Sequence, residues 1–349
     1  MLAQYRQGDR QPHRQGREWP LISLATVRAL RSSVQAVKQE LPNVCLQGDD
    51  FATPHARPIL DRLGKRPCTM ARVRRRWEMV TRTTAAHRMT VPGVMRIGLL
   101  IPCYIDMLFP EVGIATLELL ERLGLDVGYP IEQTCCGQPM ANSGDEASTA
   151  AAERLFIQNF KDFAYIVGPA GSCVKQVRQH FDSIEQTDAG RHVRQHTYEL
   201  VEFLHDILRV QAFPWTEFHH SVGLHNSCSS IRGLGLAKPS EIMDAPFNKT
   251  ADLLAKVKGL VLVPLDRPDD CCGFGGTFCV TGPAVFARMV MEKVRDHLCH
   301  GVEYIASPNM SCLMHQQGIA CRAGLDIKFI HVAQILNGGP FPQRGESLR

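Results

Sequence analysis

The chain has 349 residues, 44% hydrophobic and 21% charged, a folded globular composition that excludes a disordered chain and a coiled coil. The net charge of +4 is unevenly split: residues 1–94 hold 17 Lys and Arg against 7 Asp and Glu, and residues 95–349 hold 22 against 28. The longest apolar runs, 97–101 and 260–263, are far too short to span a bilayer.

Segment 1–94 reads as a basic, disordered N-terminal extension. Pro12, Pro20, Pro42, Pro54, Pro58 and Pro67 interrupt any long element. Residues 21–41 allow one amphipathic helix, and Arg72, Arg74, Arg75 and Arg76 form a basic run. Such a run can touch nucleic acid or anionic lipid, but a solvated, largely disordered extension is the favoured reading, so no nucleic-acid partner is expected. Sparse acids also suit an organellar presequence, although the segment is long for one. Patterning begins abruptly at Met95, which makes Met95 an alternative start.

From Met95 the rhythm is α/β. Strands are expected at 97–101, 126–129 and 165–167, with helices at 110–123, 144–160, 172–181 and 197–210. The rhythm then returns: strands at 221–224, 260–264, 304–306 and 327–330, and helices at 248–256, 283–299 and 310–323, with a short helix ending at Leu336. Alternation of this kind predicts parallel sheets, arranged as two pseudo-symmetric Rossmann-like half-domains over 95–215 and 216–338. Residues 339–349 read as a frayed tail.

Eight of the 13 cysteines form two matching sets. Cys103, the pair Cys135 and Cys136, and Cys173 follow C-x31-CC-x36-C; Cys228, the pair Cys271 and Cys272, and Cys312 follow C-x42-CC-x39-C. Self-similarity on this scale indicates a duplicated half-domain. Each set falls just beyond the carboxyl ends of predicted strands, where open α/β sheets build ligand sites. The first residues lack a signal peptide's apolar core, so a reducing, cytoplasmic setting with thiols kept for metal or redox work is expected.

The vicinal pairs narrow the chemistry. Adjacent cysteines chelate one tetrahedral ion awkwardly, and structural zinc usually takes cysteines separated by two or more residues. A cluster of several irons accepts adjacent thiolates on different irons. Gly137 and Gly273, which follow the pairs, permit a positive φ and let a backbone amide point toward sulfur. Cys45, Cys68, Cys279, Cys299 and Cys321 lie outside the sets and read as structural. His225, three residues before Cys228, reads as a loop histidine with a local hydrogen bond, a ligand or proton-transfer role near a cluster being the alternative. His219 and His220 read as a solvated pair. No dinucleotide fingerprint, P-loop or nucleophile elbow is present, and no catalytic residue stands out.

The Cys135-Cys136-Gly137 and Cys271-Cys272-Gly273 motifs, with their spaced partners, resemble the cysteine-rich CCG domain family over residues 95–338. That family includes a cysteine-rich component of heterodisulfide reductase and the iron–sulfur subunits of glycolate oxidase and anaerobic glycerol-3-phosphate dehydrogenase. The runs Thr134-Cys135-Cys136-Gly137-Gln138-Pro139-Met140 and Ser311-Cys312-Leu313-Met314 resemble its lactate-utilization branch. The resemblance implies an oxidoreductase subunit, not active alone, that transfers electrons during oxidation of L-lactate to pyruvate. It also implies two partner subunits, one a ferredoxin-like iron–sulfur protein. The ligands it implies are Cys103, Cys135, Cys136 and Cys173, and Cys228, Cys271, Cys272 and Cys312. The fullest family pattern ends each set in C-x-x-C; Ala170 and Asn309 replace the first of those cysteines. Four thiols per set remain, the number that a cubane [4Fe–4S] cluster needs. A glycolate or heterodisulfide enzyme subunit, and a zinc-binding or thiol-switch module, are the rival readings.

Overall fold

The computed structural model describes residues 95–276, 278, 282–339 and 341. The basic segment 1–94, Cys45, Cys68, Cys279 and nearly all of the expected tail lie outside the described residues.

Among the described residues, eight short strands form two sheets of the same design. The first half contains β1 (Arg96–Leu99), α1 (Cys103–Leu108), α2 (Pro110–Arg122), β2 (Asp126–Gly128), α3 (Gln138–Ser143), α4 (Glu146–Phe160) and β3 (Tyr165–Gly168). It continues with α5 (Gly171–His180), α6 (Asp188–His196), β4 (Thr197–Glu199) and a turn, α7 (Leu200–Glu202), that runs into a π-helix (Phe203–Ile207). The second half contains β5 (Ser221–Leu224), a π-helix (Ser229–Gly233), α8 (Lys249–Leu254), β6 (Val261–Leu262) and α9 (Pro283–Cys299). It ends with β7 (Tyr304–Ser307), α10 (Met310–Arg322), β8 (Lys328–His331) and α11 (Val332–Asn337).

The strand orders are β2-β1-β3-β4 and β6-β5-β7-β8, and every pairing is parallel. The central strands are buried on both faces, which explains their near-continuous apolar runs. The expected α/β architecture of two repeated halves is therefore present.

Several elements differ from expectation. The helix expected over 197–210 begins instead as the edge strand β4, whose Thr197, Tyr198 and Glu199 pair with Ile166, Val167 and Gly168. Three residues carry no readable period, so the helical pattern after them dominates the sequence signal. The helix expected over 144–160 is present but starts two residues later: Gly144 takes φ +76 and closes α3, and the Asp145 side chain accepts from the Ser148 N–H to start α4. The strand expected over 260–264 shrinks to Val261–Leu262, and α1 and α3 were not expected at all. Phe341, in the expected tail, packs its ring on Phe218 at 5.0 Å.

The largest core cluster among the described residues spans both halves. Leu99, Val112, Leu119 and Leu120 of the first half cluster with Val222, Leu253, Ile335 and Leu336 of the second. The helix α11 lies against α2, where Asn337 donates to Glu118 Oε2 at 2.8 Å. A second seam runs between α5 and the π-helix at 229–233, with Val174 set against Leu234 and Leu236. At its edge the Gln179 amide donates to the Gly233 carbonyl at 2.6 Å. His331 spans the halves as well: Nδ1 accepts from Ala333 N–H at 3.1 Å, so the remaining proton lies on Nε2 and is donated to the Pro169 carbonyl at 3.1 Å.

Candidate metal centres

In each half the chain delivers four thiols to the carboxyl edge of its sheet. Cys103 opens α1 after β1, Cys135 and Cys136 lie in the loop between β2 and α3, and Cys173 sits in the first turn of α5 after β3. In the second half Cys228 precedes the π-helix after β5, Cys271 and Cys272 follow β6, and Cys312 sits in the first turn of α10 after β7. Cys173 and Cys312 thus occupy the same place in their halves, each in the first turn of the helix that follows a central strand.

The sulfurs of each set form an unbroken chain of contacts. Cys103 meets Cys135, Cys135 meets Cys136, and Cys136 meets Cys173. In the second half Cys228 Sγ lies 3.9 Å from Cys271 Sγ, and Cys272 joins Cys271 to Cys312. All eight are free thiols. Cys136, Cys173, Cys272 and Cys312 are buried, Cys103, Cys135 and Cys271 are half-buried, and Cys228 is exposed. Each centre thus has a dry floor and a more open rim. Cys299 and Cys321 lie exposed and outside both sets.

The glycines after the pairs adopt the expected geometry. Gly137 has φ +85 and Gly273 has φ +81, values that an L side chain rarely adopts. The turn aims the Gly273 N–H at Cys271 Sγ, 3.3 Å away, and the Gly137 N–H likewise donates to Cys135. Donation from the Cys103 thiol, together with Cys136 and Gly137, lowers Cys135 to about 3. The Cys103 thiol that supplies this proton is raised, first by Cys135 and then by burial. Contact with Cys135 and Cys173 and burial raise Cys136. In the second set Cys271 raises Cys228. Cys271 is lowered by Cys228, but Cys272 and burial outweigh that and leave it raised. In the first set one thiolate is stabilised by its neighbours' S–H groups, and in both sets burial and neighbouring sulfurs resist further negative charge. Four thiolates at such close range call for cations among them.

Asn309, which stands in place of the family's additional cysteine, is buried and directs its amide to the cluster of thiols. Its Nδ2 lies 3.7 Å from Cys312 Sγ, while its Oδ1 accepts from the Ser311 hydroxyl at 3.3 Å and from the Tyr104 hydroxyl at 3.4 Å. Tyr104, from α1, is held high by burial and by the nearby Cys173 and Cys312 sulfurs, with a smaller contribution from Cys103. This one side chain therefore lies between the two sets, a relationship that neither spacing nor composition signalled.

His225 departs from the sequence reading. Instead of making a local hydrogen bond, neither of its ring nitrogens has a partner among the described residues, although the side chain is fully buried. Its ring nitrogen and the sulfurs of Cys272 and Cys312 lie within 4.8 Å of one another. His219 and His220 pair with Glu217 and Glu303 at the surface, as a solvated pair does. No helix among the described residues is long and apolar enough to cross a membrane.

The doubled CCG motif, its glycine turns and the twin thiol sets are the marks of one class, and comparison with known families agrees. The chain belongs to the CCG cysteine-rich domain family, whose model matches residues 97–178 and again 222–316. Relatives named lactate utilization protein A include that of Exiguobacterium sp., 41% identical over 251 residues that cover 70% of this chain and 97% of that protein. Those of Geobacillus kaustophilus and Bacillus subtilis are 38% and 36% identical, each with 70% of this chain and 99% of the relative covered. The clustered thiols are a donor set suited to a metal ion or an iron–sulfur cluster.

Proposed function

We propose that the chain is an iron–sulfur electron-transfer subunit of a multi-protein system that oxidises L-lactate to pyruvate. The observation that carries this reading is the convergence of two four-thiol sets, each with a vicinal pair, on the same edge of two repeated sheets. The similarity to lactate utilization proteins A supports lactate as the substrate and a multi-subunit system, and the partner subunits we propose include a ferredoxin-like iron–sulfur protein.

The residues fit the proposed group. Cys103, Cys135, Cys136 and Cys173 would hold one [4Fe–4S] cluster, and Cys228, Cys271, Cys272 and Cys312 a second. Bound clusters would supply one-electron transfer. The protein's own contribution is to hold the thiols, exclude water and set the electrostatic surroundings. The buried floor of Cys136, Cys173, Cys272 and Cys312 keeps water from one side of each centre. The Gly137 and Gly273 amides stabilise negative charge on Cys135 and Cys271. The Asn309 amide does the same at Cys312. Tyr104, fixed by Asn309, fills the space between the centres with protein. The more open rim, with Cys228 exposed, is the side available to a redox partner.

Iron and acid-labile sulfide, measured with EPR on the anaerobically purified full chain, test the reading. About eight irons per chain are expected from two cubanes. Stoichiometric zinc without visible absorption would instead favour a zinc or thiol-switch module. Turnover of the chain with its partner subunits on lactate, glycolate and disulfides then separates lactate oxidation from the related 2-hydroxy-acid and heterodisulfide chemistries.

A further inference from the structure

The two centres are built on the same plan, so their differences are informative. Matching backbone positions follow the first strand of each half: Leu100 N–H donates to the Val167 carbonyl at 2.9 Å, and His225 N–H donates to the Ala306 carbonyl at 2.8 Å. Each residue lies three positions before the first cysteine of its set. Leu100 is apolar and buried, as such a position ordinarily demands. His225 is fully buried at the equivalent place, and neither ring nitrogen meets a hydrogen-bond partner among the described residues. An unpartnered buried polar side chain costs about 1–3 kcal/mol. A histidine replacing leucine here without a partner would therefore be a standing penalty.

The geometry identifies what relieves it. One His225 ring nitrogen and the sulfurs of Cys272 and Cys312 all lie within 4.8 Å of one another, and all three residues are buried. The imidazole ring offers a nitrogen donor to a metal held by these sulfurs, and Lys293 stands near His225. His297 and His315 also stand near it. His315 packs its ring against Phe274 and Phe286, and neither histidine belongs to the close group with Cys272 and Cys312.

We propose that His225 is a metal-ligating residue of the second centre, binding beside Cys272 and Cys312, and that the first centre has no counterpart to it. The proposal rests on the reading that these thiol sets hold metal. The first centre offers four thiols and the second four thiols and one imidazole, so on a four-iron cubane there His225 would take the place of one thiol.

The test uses the anaerobically reconstituted, reduced full chain. Pulsed EPR is recorded on wild type made with natural-abundance or 15N-labelled histidine. A directly bound imidazole gives a strong nitrogen coupling that changes on labelling. The variants His225→Leu, which copies Leu100, and His225→Gln, which keeps a polar head, should lose that coupling while the signal of the first centre persists. A wild-type spectrum with no histidine coupling overturns the proposal, as does a variant that retains it. The wild-type comparison decides even if neither variant folds. If the chain takes up no iron, the iron–sulfur reading falls, and Co2+ added to the metal-free chain tests His225 separately. Loss of at least about tenfold in Co2+ affinity in His225→Leu upholds the ligand role. Equal affinity in the two proteins overturns it.

Discussion

Alanine in place of the glycine after each vicinal pair distinguishes backbone strain from crowding. Both positions are left-handed, with φ of +85 at Gly137 and +81 at Gly273, so each substitution carries a backbone cost of about 1–2 kcal/mol. Their surroundings differ. A Cβ on Gly137 would meet Ala152 Cβ at 3.5 Å, an ordinary contact. A Cβ on Gly273 would lie 2.9 Å from Met289 Cβ and 3.2 Å from the Phe286 carbonyl oxygen. Both belong to α9, and neither is the free end of a flexible side chain, so the helix itself must give way. Overpacking of this kind adds about 1–3 kcal/mol. Gly137→Ala should therefore lose about 1–2 kcal/mol and Gly273→Ala about 2–5 kcal/mol. Urea unfolding of the metal-free full chain measures both, provided that the m-values agree. Equal losses, or a larger loss at Gly137, would refute the assignment of the difference to α9.

Four further outcomes are expected. Cys136→Ser and Cys272→Ser should each remove about half of the iron bound by the wild-type chain, read by iron and sulfide assay; loss of all iron from either would show that the centres do not load separately. Burial lowers His331 to about 4, so its neutral, cross-linking form dominates above that value. The unfolded chain takes up its proton first as pH falls through about 6.5, and stability should decline by up to about 3 kcal/mol between there and pH 4, seen as a falling unfolding midpoint that His331→Asn flattens. Glu199 has the opposite sign: burial raises it to about 8, so the folded chain retains a proton that the unfolded chain gives up above about 4.5. Stability is lost as pH rises from about 4.5 to 8, and Glu199→Gln should reduce that slope by up to about 1.4 kcal/mol per pH unit. Asn309→Ala leaves the Tyr104 hydroxyl without its Asn309 acceptor and should cost about 1–2 kcal/mol in the same unfolding assay, whereas Asn309→Asp should keep that acceptor.

Much of this was legible in the chain. The central strands announce themselves because burial on both faces makes them apolar throughout, as in Ile97, Leu99, Ile166 and Val167. The thiol sets are visible because a duplicated spacing is a long-range signal, and Gly137 and Gly273 because only glycine takes their turn readily. The edge strand β4 was hidden by its three-residue length. His225 was hidden for a different reason: one histidine has no period, and its environment is assembled from Cys272 and Cys312, 47 and 87 residues further along. Tyr104 is similar, since its contact with Asn309 joins positions 205 residues apart.

The core that runs from Leu119 and Leu120 to Ile335 and Leu336 has a consequence for any attempt to divide the molecule. A cut between the halves would strip apolar partners from both sides and leave each fragment with a bare, adhesive face. The two thiol sets therefore stand or fall with one shared interior, and damage to the packing of either half reaches the other.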